Sequence, residues 1–164
     1  MSYTNEVQGF ITEFQQNRNV LINLNDREKT IDALKGYKTI IVQYLSMLNI
    51  IKSKMNFGKD SYSIKVEFYW KDVLKNDLMS SYNSNFDYYS NFFNLAVCYY
   101  SLGMAVLPND EEIKVKESIK NFQYAAWIFD NIKNELPNAL PPKEIPSDMT
   151  PNYLTYVRRH SKLF

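Results

Sequence analysis

Apolar residues recur at helical spacing along most of the chain. Val7, Phe10, Ile11 and Phe14 follow an i, i+3, i+4, i+7 pattern and predict a helix over about 5–24. Asn17, Asn19, Asn23 and Asn25 weaken it, because asparagine competes for backbone hydrogen bonds. Ile31, Leu34, Lys38, Ile41, Leu45, Leu48 and Ile51 predict a second helix over about 27–54, capped by Asn25 or Asp26. After the turn cluster Asn56-Phe57-Gly58-Lys59-Asp60 the period changes to two. Ile64, Val66, Phe68 and Trp70 alternate with polar residues and Tyr69, which predicts one extended segment over 62–70. Its backbone needs a partner, and the pattern offers no second strand. A short helix is expected at 71–78 and a polar loop at Ser80 to Asn85.

Two long helices follow, over about 86–106 and 110–136. The first carries Phe92, Phe93, Ala96, Val97, Tyr100 and Met104. Pro108-Asn109-Asp110 separates them, with Asn109 or Asp110 as the cap and Glu111 and Glu112 in the first turn, where the helix dipole favours anions. The short link makes them an antiparallel hairpin. Four of the six prolines lie between Pro137 and Pro146, so 137–149 reads as an extended crossing. Thr150 as N-cap and Pro151 at the first helical position open a last helix over 150–160. The fold class is all-α, built from antiparallel helical hairpins, with one short extended segment.

Composition narrows the function. The 164 residues are 45% hydrophobic and 15% aromatic, far from a disordered chain. The net charge of +1 is no footprint for general nucleic-acid binding. No apolar run is long enough to span a membrane, and Met1 to Glu6 carries none of the pattern of a signal peptide. One cysteine forms no internal disulfide, and together these features point to the cytosol or nucleus. The four glycines are too scattered for a phosphate-cradling loop.

Catalytic chemistry finds no constellation. His160 stands alone beside Arg158 and Arg159 and reads as an exposed basic helix end. Cys98 lies mid-helix among apolar neighbours and reads as structural, since a reactive thiolate needs a cation or helix N-terminus nearby. No cluster suggests a metal, and no cofactor is expected. Asp110, Glu111 and Glu112 read as a helix start. Tyr82, Tyr88, Tyr89, Tyr99 and Tyr100 crowd one region and suit packing between helices, with Tyr82 also open to a partner or modification.

Four stretches together resemble a known family. Phe68-Tyr69-Trp70-Lys71-Asp72-Val73-Leu74 resembles the Trp-Lys-Asp stretch of BRO-type domains, found in Alix and its relatives. Phe93-Asn94-Leu95-Ala96 is similar to the family's Phe-Asn helix, and Phe122 to Phe129 to its Phe-Gln-x-Ala-x-Gly-x-Phe stretch. Asp148-Met149-Thr150-Pro151 resembles the Asp-Leu-Ser-Pro that opens the next family helix. The likeness covers about Ala33 to Tyr156, and more loosely the N-terminus, in family order, so the chain resembles the N-terminal half of the family's domain. It implies helices stacked in a tetratricopeptide-like array and no enzymatic activity. It also implies an adaptor that binds the amphipathic C-terminal helix of a Snf7-type ESCRT-III subunit, is cytoplasmic and is recruited to endosomes. The binding mode is a helix in a groove.

The departures from the family shape the expectation. Trp127 stands where the family has a glycine, so packing there must differ. The family's opening strands have no counterpart. The helix after Pro151 becomes Tyr156-Val157-Arg158-Arg159-His160 and stops, whereas the family's runs on and carries the main apolar anchors. Only one rim of the groove carries over: Glu112 and Lys116 match polar groove residues, with Val115 and Ile119 beside them. An alternative is a truncated paralogue, or a generic helical interaction module, that has lost ESCRT-III binding. An open-ended stack also leaves a face uncovered, with Ile119, Phe122, Ile128 and Tyr153 as candidates for self-association.

Overall fold

The computed structural model describes residues 9–10, 12–19, 30–106 and 112–161. Residues 9–10 and 12–19 are helical and are called α1. The long helices are α2 (Ile31–Lys54), α3 (Ser84–Val106) and α4 (Glu112–Ala139), followed by the shorter α5 (Pro151–Ser161). Between α2 and α3 lies a hairpin of β1 (Phe68–Asp72) and β2 (Asp77–Ser81).

Local chemistry sets the ends of these elements. The Thr30 Oγ1 accepts from the Ala33 N–H at 3.2 Å and caps α2. The cap is therefore Thr30, whereas Asn25 and Asp26 lie outside the described residues, as do Asn109, Asp110 and Glu111. Pro151 opens α5 after Thr150, whose extended backbone and carbonyl, accepting from the Leu154 N–H at 2.9 Å, place it at the N-cap position, while its hydroxyl donates back to the Ser147 carbonyl at 2.9 Å. The crossing before it contains two 3₁₀ turns, Pro142–Glu144 and Ser147–Met149. Pro137 does not end α4, which continues to Ala139. It sits in the last turn, where the Leu140 N–H still reaches the Leu136 carbonyl at 3.0 Å.

The extended segment differs most from expectation. The strand starts at Phe68, not at residue 62; ahead of it, Phe57 and Ile64 make only an isolated bridge. Its partner is the stretch expected to be a short helix and polar loop. β2 pairs antiparallel with β1, from Phe68 opposite Ser81 to Asp72 opposite Asp77. The turn is local chemistry: the Asp72 Oδ1 accepts from the Leu74 and Lys75 N–H groups at 3.0 and 3.2 Å. Asn76 then takes a φ of 57°, a left-handed conformation that asparagine tolerates.

Each long helix packs against its sequence neighbours: α2 on α3, α3 on α4, α4 on α5. The contacts run in opposite directions along α2 and α3, and along α3 and α4. Leu34 meets Cys98 and Tyr44 meets Asp87 across α2 and α3. Gly103 meets Ser118 and Phe93 meets Phe129 across α3 and α4. The result is a stack of antiparallel helices. The core runs through it as Ile41, Leu45, Phe86, Phe93, Leu102, Ile128, Phe129, Ile132 and Leu154. α1 lies on α2, with Phe14 stacked on Tyr44 at 4.9 Å.

Candidate protein-interaction surface

The sequence picked out Glu112, Val115, Lys116 and Ile119. The structure brings three of them together. Glu112, Lys116 and Ile119 stand at i, i+4 and i+7 on an exposed stripe of α4. The Lys116 Nζ lies 2.6 Å from Glu112, and both side chains are largely exposed. Such a pair is worth only a few tenths of a kcal/mol and leaves both charges available. Val115 sits on the half-buried edge, towards the stripe of Ser118 and Phe122. The exposed stripe runs on through Gln123 to Trp127, which is 59% exposed.

The same helical phase corrects the predicted self-association face. Phe122 and Ile128 are each 2% exposed, because they belong to the α4 stripe packed in the core. Phe122 lies against Gly103 and Tyr100 of α3. Only Ile119 of the four candidates is exposed, with Tyr153 half-buried beside Tyr156.

Two of the tyrosines read as interhelical packing, Tyr88 and Tyr99, belong to an aromatic layer next to the stripe that also takes in Phe92, Tyr124 and Trp127. Tyr99 packs on Tyr124 at 5.1 Å, and Phe92 meets the edge of Trp127 at 6.3 Å. The Lys38 and Lys52 ammoniums sit over the Tyr99 and Tyr88 rings at 5.6 and 4.5 Å. The signal that could have found this layer is the tryptophan in place of a small residue at position 127. It is accommodated because it points out of the stack.

The recognisable motifs have a structural task. Asp72 and Asp148 are 0% and 1% exposed. The Trp70 indole N–H donates to both Asp148 oxygens at 3.1 Å, and the Val73 N–H donates to Asp148 at 3.0 Å. In return the Ser147 N–H and hydroxyl donate to the Asp72 Oδ2. This exchange clamps the hairpin to the start of α5. Burial pushes Asp72 up, but the bonds from Ser147, Lys75 and Leu74 outweigh it and hold its carboxyl below its ordinary value. Burial wins at Asp148, which is raised despite Val73 and Trp70, and the Asp72 charge adds to the rise. Both carboxylates are consumed by this clamp, so they are not a free acid–base pair.

Other chemistry is quiet. Cys98 is buried, its thiol 3.1 Å from the Leu34 carbonyl and pushed up to about 11 by burial, which makes it a poor nucleophile. Among the described residues no three His, Cys, Asp or Glu side chains gather as a metal site. The His160 side chain lies outside the described residues.

The described residues form a stack of antiparallel helices with an exposed stripe on α4. Residues 2–159 match the BRO1-like domain, and the chain belongs to that family. Comparison with curated proteins gives no match. The family consists of interaction scaffolds associated with ESCRT assemblies, not of enzymes. No helix among the described residues is long and apolar enough to cross a membrane.

Proposed function

We propose that this protein is a non-enzymatic adaptor that binds the amphipathic C-terminal helix of a Snf7-type ESCRT-III subunit. It acts in the cytoplasm and is recruited to endosomes through that contact. The reading rests above all on the family match over residues 2–159. The α4 stripe is compatible with it: Glu112 and Lys116 offer one charge of each sign, and Ile119 is an apolar contact between helical turns. Val115 contributes from the half-buried edge.

The test is calorimetric titration with a Snf7-type C-terminal peptide. Reversing both charges, with Glu112→Lys and Lys116→Glu, keeps the intrahelical pair and hence the fold. It is expected to weaken binding at least ~10-fold, the scale of a lost charged contact. Unchanged affinity in the double variant removes the groove assignment. No binding by the unaltered protein favours the alternative, a helical interaction module without ESCRT-III binding.

A further inference from the structure

A polar cleft lies between the C-terminal end of α2 and the first turn of α3, closed by the turn at residues 56–59 and by the 3₁₀ turn Pro142–Glu144. Its volume is about 540 Å³, within the range of small-ligand sites. Lys52, Lys59 and Lys143 line it, with Asn56 and Asn83 adding amide groups. None of the three lysines is held in an ion pair among the described residues.

The lining itself carries three lysines against one carboxylate. Glu144 is the acidic residue in the lining, and its carboxylate is already bonded by the Ser81 hydroxyl at 2.6 Å. Asp87, near Lys52, is bonded by Tyr44 and Asn91. Lys52 and Lys59 rest over the Tyr88 and Tyr82 rings at 4.5 and 5.2 Å, which positions their ammoniums; Glu67, which attracts Lys59, already accepts from the Tyr69 and Ser80 hydroxyls at 2.6 and 2.8 Å. Lys52 answers the carbonyl end of α2. Lys59 is on a turn and Lys143 on a three-residue 3₁₀ helix, where no α-helix end calls for a cation. The first turn of α3 adds its positive dipole end to the same wall.

We propose that this cleft binds a phosphate group carried by a small molecule or a lipid headgroup. Three ammoniums suit a doubly charged oxyanion better than a single carboxylate, and the volume leaves room for the group that carries the phosphate. The site is separate from the α4 stripe and does not depend on its partner.

The probes are pyrophosphate in solution, and phosphatidylcholine vesicles with and without phosphatidic acid, all at constant ionic strength. Amide shifts in a ¹⁵N–¹H spectrum report the first, and co-sedimentation the second. Saturable shifts centred on Asn56, Lys59 and Asn83, weakened about tenfold or more by Lys59→Glu with Lys143→Glu, support the proposal and identify a soluble ligand. Vesicle binding that requires phosphatidic acid and is lost in the double variant supports it with a headgroup as the source. Absence of saturable binding to either probe overturns it. So does binding that the double variant leaves unchanged. Both lysines are exposed, and an unaltered thermal melt confirms that the variant folds.

Discussion

At the residue scale, two aspartates, Asp72 and Asp87, govern how the fold responds to acid. Asp72 accepts from Leu74, Lys75 and Ser147 and is held below its ordinary pKa. Its stabilising contribution is present above the ordinary carboxylate range and is lost as pH falls through the depressed value. Asp72→Asn is expected to cost about 3 kcal/mol at neutral pH, since donors aimed at a buried carboxylate lose its charge. Denaturant titrations at pH 7 and pH 3 check this, and the gap between the two proteins should shrink at the lower pH. Asp87 behaves oppositely. Burial raises it, although the Tyr44 hydroxyl donates to it at 2.6 Å. A raised carboxyl binds its proton more tightly in the folded state. Its contribution is therefore complete below the unfolded pKa of about 4 and declines as pH rises through the folded value. Stability relative to Asp87→Asn should therefore grow as pH is lowered from 7 towards 4, and pH-dependent melting of both proteins reads it. Neither environment was legible in the sequence. Asp72 is 75 residues from Ser147 and Asp87 is 43 from Tyr44, so these two partners meet their carboxylates only after folding.

At the element scale, the helices were legible and the hairpin was not. A 3.6-residue apolar period is strong over the twenty-odd residues of α2 or α3 and survives single exceptions. β2 has five residues, Asp77–Ser81, with Leu78 exposed and Met79 half-buried. That stretch is too short and too polar to show a period of two. What makes it a strand is the Asp72 turn and its pairing with β1. The closeness of α3 and α4 is a second tertiary fact. A Cβ built on Gly103 would lie 2.7 Å from the Phe122 ring. Overpacking costs about 1–3 kcal/mol, against at most ~1 kcal/mol gained in helix propensity. Gly103→Ala should therefore lower stability by roughly 1 kcal/mol, and Gly103→Val by more. Urea unfolding of the two variants measures the order, and a stabilised Ala variant would show that Phe122 moves freely.

At the scale of the whole molecule, the chain behaves as a linear stack, in which each helix depends on its neighbours. α3 is packed on both sides, by α2 and α4, whereas α5 leans on α4. Native-state hydrogen exchange should find the slowest amides in α3 and faster ones in α5. Leu154 is 0% exposed between α5 and the core, so Leu154→Ala should cost about 2–4 kcal/mol. It should accelerate exchange first in α5 and in the C-terminal half of α4. Uniform acceleration throughout would show one cooperative unit instead.

The sequence by itself determined the helical class, the family likeness and the positions of the helices, because these follow from local periodicity and short motifs. The likeness pointed to Glu112, Val115, Lys116 and Ile119, and helical phase, a property of one helix, sets Glu112, Lys116 and Ile119 on one stripe. Only the tertiary structure decided that Phe122 and Ile128 are core, that Trp70, Asp72 and Asp148 form a clamp, and that Lys52, Lys59 and Lys143 share a cleft. Those outcomes depend on which faces meet and on contacts between residues distant in the chain, and no local pattern encodes them.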